Sequence, residues 1–239
     1  MKIAGFPTLF DADPYSSTSI QQHPLGTWGV DKIGRLYRYA YSGAVALVTG
    51  NLIQSPARST DFTDLAVAAA VAVGATSIQV TLGATATTAN QFDNGVVAIT
   101  VTPGGGQQFS IAACTVTAGS GTATLTLNEP VVALLSTSSK ITIRQNLFNR
   151  VIQSPTTRTG KTVGVALNAT PINHYTWIGA VGSFGVLSDS TVAAVGESLS
   201  PSTTTAGAVT KQVTLLESVG TADVLGISAK WEPVTLACW

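Results

Sequence analysis

Apolar and polar residues alternate in short runs along much of this chain. Residues 76–82 alternate with period two, as do residues 123–127 and 140–144. Such alternation puts every second side chain on one face of a strand, so one face meets a core and the other meets solvent or a partner. Tight-turn signals separate the runs: Asn94-Gly95 between Phe92 and Val96, Gly119-Ser120-Gly121, and Pro103-Gly104-Gly105-Gly106, which reads as a hairpin tip. Residues 36–41 also alternate, with Tyr37, Tyr39 and Tyr41 on one face and Leu36, Arg38 and Ala40 on the other. Shorter β-type runs stand at 163–167, 175–178 and 224–227. One helix is allowed over residues 64–72, where alanine favours it and the valines weaken it. The expected fold class is all-β.

A local echo divides the chain. Ile53-Gln54-Ser55-Pro56 recurs as Ile152-Gln153-Ser154-Pro155, and each copy precedes a segment bearing Thr and Arg. Serine before proline is held extended, so both copies read as connectors. They bracket a middle segment in which only Asp93, Glu129 and Lys140 are charged between Ala66 and Ile143. The expected organisation is an N-terminal arm with first strands (residues 1–60), a small β-sandwich or barrel (61–148) and a C-terminal β domain (149–239). Residues 1–30 carry many breakers and little periodicity, as an extended arm would. Thirty extended residues reach up to ~100 Å.

Composition narrows the function. The chain has 239 residues, with 12 basic and 12 acidic ones. A net charge of zero argues against direct gripping of nucleic acid, which needs a basic face. Charged residues make up 10% of the chain, against about 25% in an average soluble domain. A chain so poor in charge either coats itself with Thr and Ser or covers its surface with partners. The longest apolar run, residues 66–75, is far short of the ~20 residues of a membrane-spanning helix. No signal-peptide pattern opens the sequence, and the expectation is synthesis in a cytoplasm. Cys114 and Cys238 read as two free thiols.

Candidate chemistry is sparse. The two histidines, His23 and His174, lack the clustered partners of a zinc site. A Ser183–His174–Asp189 triad can be written on paper, without the strained nucleophile turn it needs. The glycines after Pro103 are followed by Gln107-Gln108, not by the Lys and hydroxyl of a phosphate loop. No cofactor or metal is expected, and the chain is read as no enzyme. The candidate interface residues are the aromatics Trp28, Tyr37, Tyr39, Tyr41 and Trp177, since Trp and Tyr dominate hot spots. Arg144, Arg150 and Arg158, with Lys161, form the one local basic concentration.

Several pieces in order resemble the small head-decoration proteins of tailed bacteriophages. These are the strand through Val165 and Leu167, the aromatic strand from Tyr175 to Ile178, the run from Val186 to Pro201, the Ala-Gly-Ala-Val of residues 206–209, and Leu225 to Ala229. The Arg-Tyr-Arg-Tyr-type strand and the following Gly43-Ala44-Val45-Ala46-Leu47 resemble the start of larger members. The resemblance implies a C-terminal β-tulip-like domain, a homotrimer, and binding to the major capsid protein on the outside of a virion made in a bacterial cytoplasm. It implies a mechanical role: a cement protein that holds the shell against internal DNA pressure. The alternatives are a head-fibre or tail-associated protein that binds host carbohydrate, and a carbohydrate-active hydrolase on a β-sandwich.

Overall fold

The computed structural model describes residues 13–189, 193–212, 217–225 and 229–238. The chain is all-β, and helix among the described residues is confined to two three-residue 3-10 turns, Asp13–Tyr15 and Thr60–Phe62. In chain order the strands are β1 (Ser17–Thr18), β2 (Trp28–Val30), β3 (Leu36–Tyr41) and β4 (Leu52–Gln54), then β5 (Leu65–Ala66), β6 (Ser77–Thr81), β7 (Val96–Val101), β8 (Gln108–Cys114), β9 (Thr122–Leu127) and β10 (Lys140–Arg144). After these come β11 (Ile152–Gln153), β12 (Thr162–Ala166), β13 (Tyr175–Leu187), β14 (Ser198–Pro201), β15 (Val209–Lys211), β16 (Gly220–Ala222) and β17 (Trp231–Ala237).

The strands sort into two compact units. Unit 1 combines Met1–Ala57 with Leu147–Trp239, and unit 2 is Arg58–Asn146. The terminal segments that the sequence separates as 1–60 and 149–239 thus share one sheet. The reason is β13, whose 13 residues accept β3 along one half and β17 along the other. Sequence periodicity is local and carries no sign of a pairing between residues 37 and 179. From residue 13 onward the segment read as an extended arm is built into unit 1, with β1 on β13 and β2 on β3. Residues 1–12 lie outside the described residues.

Unit 1 runs in the order β11-β4-β12-β13-β17-β16-β14-β15. Its path curls back on itself, because Ser188 at the end of β13 bridges Val209 at the start of β15. The two echoed connectors are partners here: Ile152 lies opposite Gln54, and Gln153 opposite Ile53. Unit 2 therefore leaves and re-enters unit 1 through a paired pair of strands. The strand that closes on β13 is Trp231–Ala237. The closing piece expected between Leu225 and Ala229 falls mostly outside the described residues, as residues 226–228 do.

Unit 2 has the order β5-β10-β7-β8-β9-β6. Val67, just past β5, bridges Val80 of β6, so the two ends of this order also meet. The alternation read in the sequence is realised in burial: Ile78 and Val80 are buried within β6, and Ile141 and Ile143 within β10. Asn94 and Ser120 take φ of 56° and 60° at their turns, as the turn signals require. Residues 64–72 form no helix. Asp64 has φ 55°, which interrupts any helical start, Leu65 and Val67 bury on either side of half-buried Ala66, and Val67 and Val71 are tied by bridges to Val80 and Leu135. Long-range bridging of these β-branched valines outweighed the alanine propensity.

Candidate functional site

The aromatics picked out in the sequence divide between core and surface. The register of β3 on β13 sets Tyr41 opposite Tyr175, Tyr39 opposite Trp177 and Tyr37 opposite Gly179. Tyr39 meets the Trp177 ring edge-on at 5.1 Å and stacks on Tyr175 at 5.9 Å. His23 packs on both Tyr39 and Trp177 at 5.2 Å. Tyr37 meets Phe184 edge-on at 5.6 Å. Tyr37, Tyr39 and Trp177 are 0, 2 and 5% exposed. They are core residues of unit 1, a correction to their reading as surface anchors. A row of aromatics on a central strand has the largest area to bury, and each such ring pair adds about 0.5–1.5 kcal/mol beyond that area.

Their polar tips are satisfied. The Tyr39 hydroxyl accepts from the Gln22 N–H at 3.1 Å, and the Tyr37 hydroxyl donates to Asp31 Oδ2 at 2.8 Å. Asp31 also accepts from the backbone N–H of Ile33 and Arg35 and from Arg35 Nε at 2.7 Å. Burial alone would raise the Asp31 carboxyl, but the hydrogen bonds from Arg35 and Tyr37 outweigh it and hold the group below its ordinary value.

Trp28 and Tyr41 are half-buried. The Arg38 guanidinium lies 3.3 Å over the Trp28 ring and 5.1 Å from that of Phe148, and its Nη1 donates to the Gly26 carbonyl at 2.6 Å. Burial pulls the Arg38 guanidinium down to about 10, while the ring faces favour its charge. Tyr41 tilts against Tyr175 at 4.6 Å and donates to Asn173 Oδ1.

The basic residues are divided between the two units. Arg144 is exposed at the end of β10 in unit 2. Arg150 and Arg158 belong to unit 1. Arg150 sits in a left-handed turn at φ 61°, and Arg158 is held by Glu217 in an ion pair. Glu217 also accepts from the Thr162 N–H.

Sequence reasoning missed Trp231. The residue is 61% exposed, and the Cδ1–Nε1 edge of its indole lies against Gly50, where an added Cβ would sit 2.2 Å from Trp231 Cδ1. Gly50 has φ +79°, so both backbone and space require glycine there. The signal was available: Val234 and Leu236 are buried at alternate positions of β17, which turns Trp231 outward.

The side chains of the paper triad are engaged elsewhere. The Ser183 hydroxyl donates to Asp223 at 2.7 Å, Asp189 accepts from the Ser202 hydroxyl at 2.7 Å, and His174 Nδ1 lies 2.9 Å from the Ile172 carbonyl. Among the described residues no group of three or more His, Cys, Asp or Glu is placed to hold a metal ion. No helix of the described residues is long and apolar enough to cross a membrane. Cys114 and Cys238 are free thiols, and burial pushes them up to about 11 and about 12. Comparison with protein-family models, curated proteins and solved structures returned no match.

Proposed function

We propose that this chain is a structural protein of a tailed-bacteriophage virion that binds the outside of the capsid and stiffens it against internal DNA pressure. One observation carries the reading. The resembling pieces that are described, on β12, on both halves of β13, on β14 and at the entry to β15, all belong to the single sheet of unit 1. They behave as one structural motif rather than as scattered similar turns. In this reading unit 1 is the β-tulip-like module that meets the major capsid protein, and the assembly on the shell is a homotrimer.

The work is mechanical. An ordinary interface buries ~800 Å² per partner. Several such contacts engaged at once gain avidity, so no single one has to be strong. Trp231 and Trp28 take over as candidate anchors from the buried aromatics, together with Tyr41 and Arg150. The test is co-sedimentation with purified empty capsids of a tailed phage. Binding that weakens in Trp231→Ala is expected; a chain that stays in the supernatant contradicts the proposal. The exposed Trp231 face also favours a second reading, a head-fibre or tail-associated protein that binds host carbohydrate, and binding on a glycan array distinguishes it.

A further inference from the structure

The echoed connectors carry polar side chains for which capsid binding has no use. Gln54 and Ser55 of the first copy are buried, as is Ser154 of the second, and Gln153 is half-buried. The Ser55 hydroxyl accepts from the Lys161 N–H at 3.0 Å, and Gln153 Nε2 donates to the Ala206 carbonyl at 3.0 Å. Gln54 is satisfied at one end only. Its Nε2 donates to the Thr159 hydroxyl at 2.8 Å, and its Oε1 is enclosed with no hydrogen-bond partner among the described residues.

Two more enclosed atoms lie beside it. Gln54 ends β4 opposite Thr162, which opens β12, so the two side chains leave the sheet on one face with Cβ atoms about 5 Å apart. The Thr162 hydroxyl has no partner among the described residues either. The Thr162 N–H donates to Glu217 Oε2 at 3.3 Å, and the same oxygen pairs with Arg158 Nη2. That shared oxygen brings the Arg158 guanidinium to Thr162, and Arg158 Nε is the third enclosed atom without a partner. A buried polar atom left without a hydrogen bond is costly, and native structures hold few of them.

The chemistry of the three atoms specifies what joins them. Gln54 Oε1 only accepts, Arg158 Nε only donates, and the Thr162 hydroxyl does either. The occupant must therefore both donate and accept. It is neutral, because Arg158 and Glu217 already balance each other and an added ion of either sign would face one like charge. It is small, because all three atoms are enclosed. Water meets these demands, and a buried water typically makes about three hydrogen bonds to groups of this kind.

We infer that one buried water molecule is a structural part of unit 1, held by Gln54 Oε1, Thr162 Oγ1 and Arg158 Nε. It ties the end of β4, just before the chain leaves for unit 2, to the segment 158–162 that follows its return. The site does not rest on the capsid reading.

The test is a crystal structure of the full chain at a resolution that shows ordered water, beside the stability of Thr162→Val. The expected density peak lies about 2.7–3.2 Å from at least two of the three atoms. Thr162→Val keeps the shape and removes the hydroxyl. A hydroxyl bonded to water stabilises, so its loss should raise the unfolding equilibrium constant about fivefold, read by chemical denaturation. A hydroxyl buried without a bond destabilises, so the same change would then lower that constant. Thr162→Ser keeps the hydroxyl and should keep the density peak in its own crystal structure. A wild-type structure without that peak, direct hydrogen bonds among the three side chains in its place, or a Thr162→Val chain as stable as wild type or more so overturns the inference.

Discussion

Units 1 and 2 both curl a sheet back on itself, yet they fill it differently. Every Trp and Tyr of the chain lies in unit 1, and Arg58–Asn146 contains none. Unit 1 centres on Tyr37, Tyr39, Trp177 and Phe184, and its two tyrosine hydroxyls need placed partners, Asp31 and the Gln22 backbone. Unit 2 centres on Val, Ile and Leu with Phe62, Phe92 and Phe109, which demand only the right volume. Similar curvature therefore encloses two kinds of core, one aromatic and one aliphatic.

The contrast can be broken most forcefully from within. Trp177→Ala should cost unit 1 about 3–5 kcal/mol, and Leu125→Ala should cost unit 2 about 2–5 kcal/mol. Near-ultraviolet dichroism reads the aromatic signals of Trp and Tyr in unit 1 alone, so Trp177→Ala should lower the midpoint of that signal and Leu125→Ala should leave it unmoved. A shared shift in both variants would mean the units unfold together.

Gly50→Ala is the next largest. It forces an L side chain to φ +79° and drives it into the Trp231 indole. A loss of about 1–2 kcal/mol in unit 1 is expected, with Trp231 fluorescence altered. Unchanged stability would mean the close approach of Gly50 and Trp231 is wrong.

A smaller effect follows from Asp31. Its folded value lies below its unfolded one, so its contribution is present above the ordinary carboxylate value and is lost as pH falls through the depressed folded value. The group is partly exposed and screened, so Asp31→Asn should cost about 1 kcal/mol at neutral pH, and less on acidification. Acid titration of stability in both proteins checks this, and parallel curves would remove Asp31 as a contributor.

The smallest effect is expected from excision. With residues 58–146 replaced by a short flexible linker, β4 and β11 remain partners and unit 1 should keep its melting midpoint. Loss of the fold would show that unit 1 needs unit 2.

How much of this could be read in advance follows the range of each interaction. Period-two alternation is a local signal, and residues 77–81, 122–127 and 140–144 became strands of unit 2. The echo at residues 53–56 and 152–155 marked the place where the inserted unit joins, but not that its two copies pair. The alternation of residues 36–41 placed Tyr37 and Tyr39 on one face. Which face was buried depended on β13, more than 130 residues away, and no local pattern carries that. Trp231 was legible from the period of β17 and was overlooked. The bracing of residues 132 and 133 was not legible, because it comes from Gln107, 25 and 26 residues away in the chain.

The most direct measurement is co-sedimentation of the excised chain, lacking residues 58–146, with empty tailed-phage capsids beside the full chain. The account predicts that both pellet with the capsids. A folded excised chain that stays in the supernatant while the full chain pellets would contradict the assignment of capsid binding to unit 1.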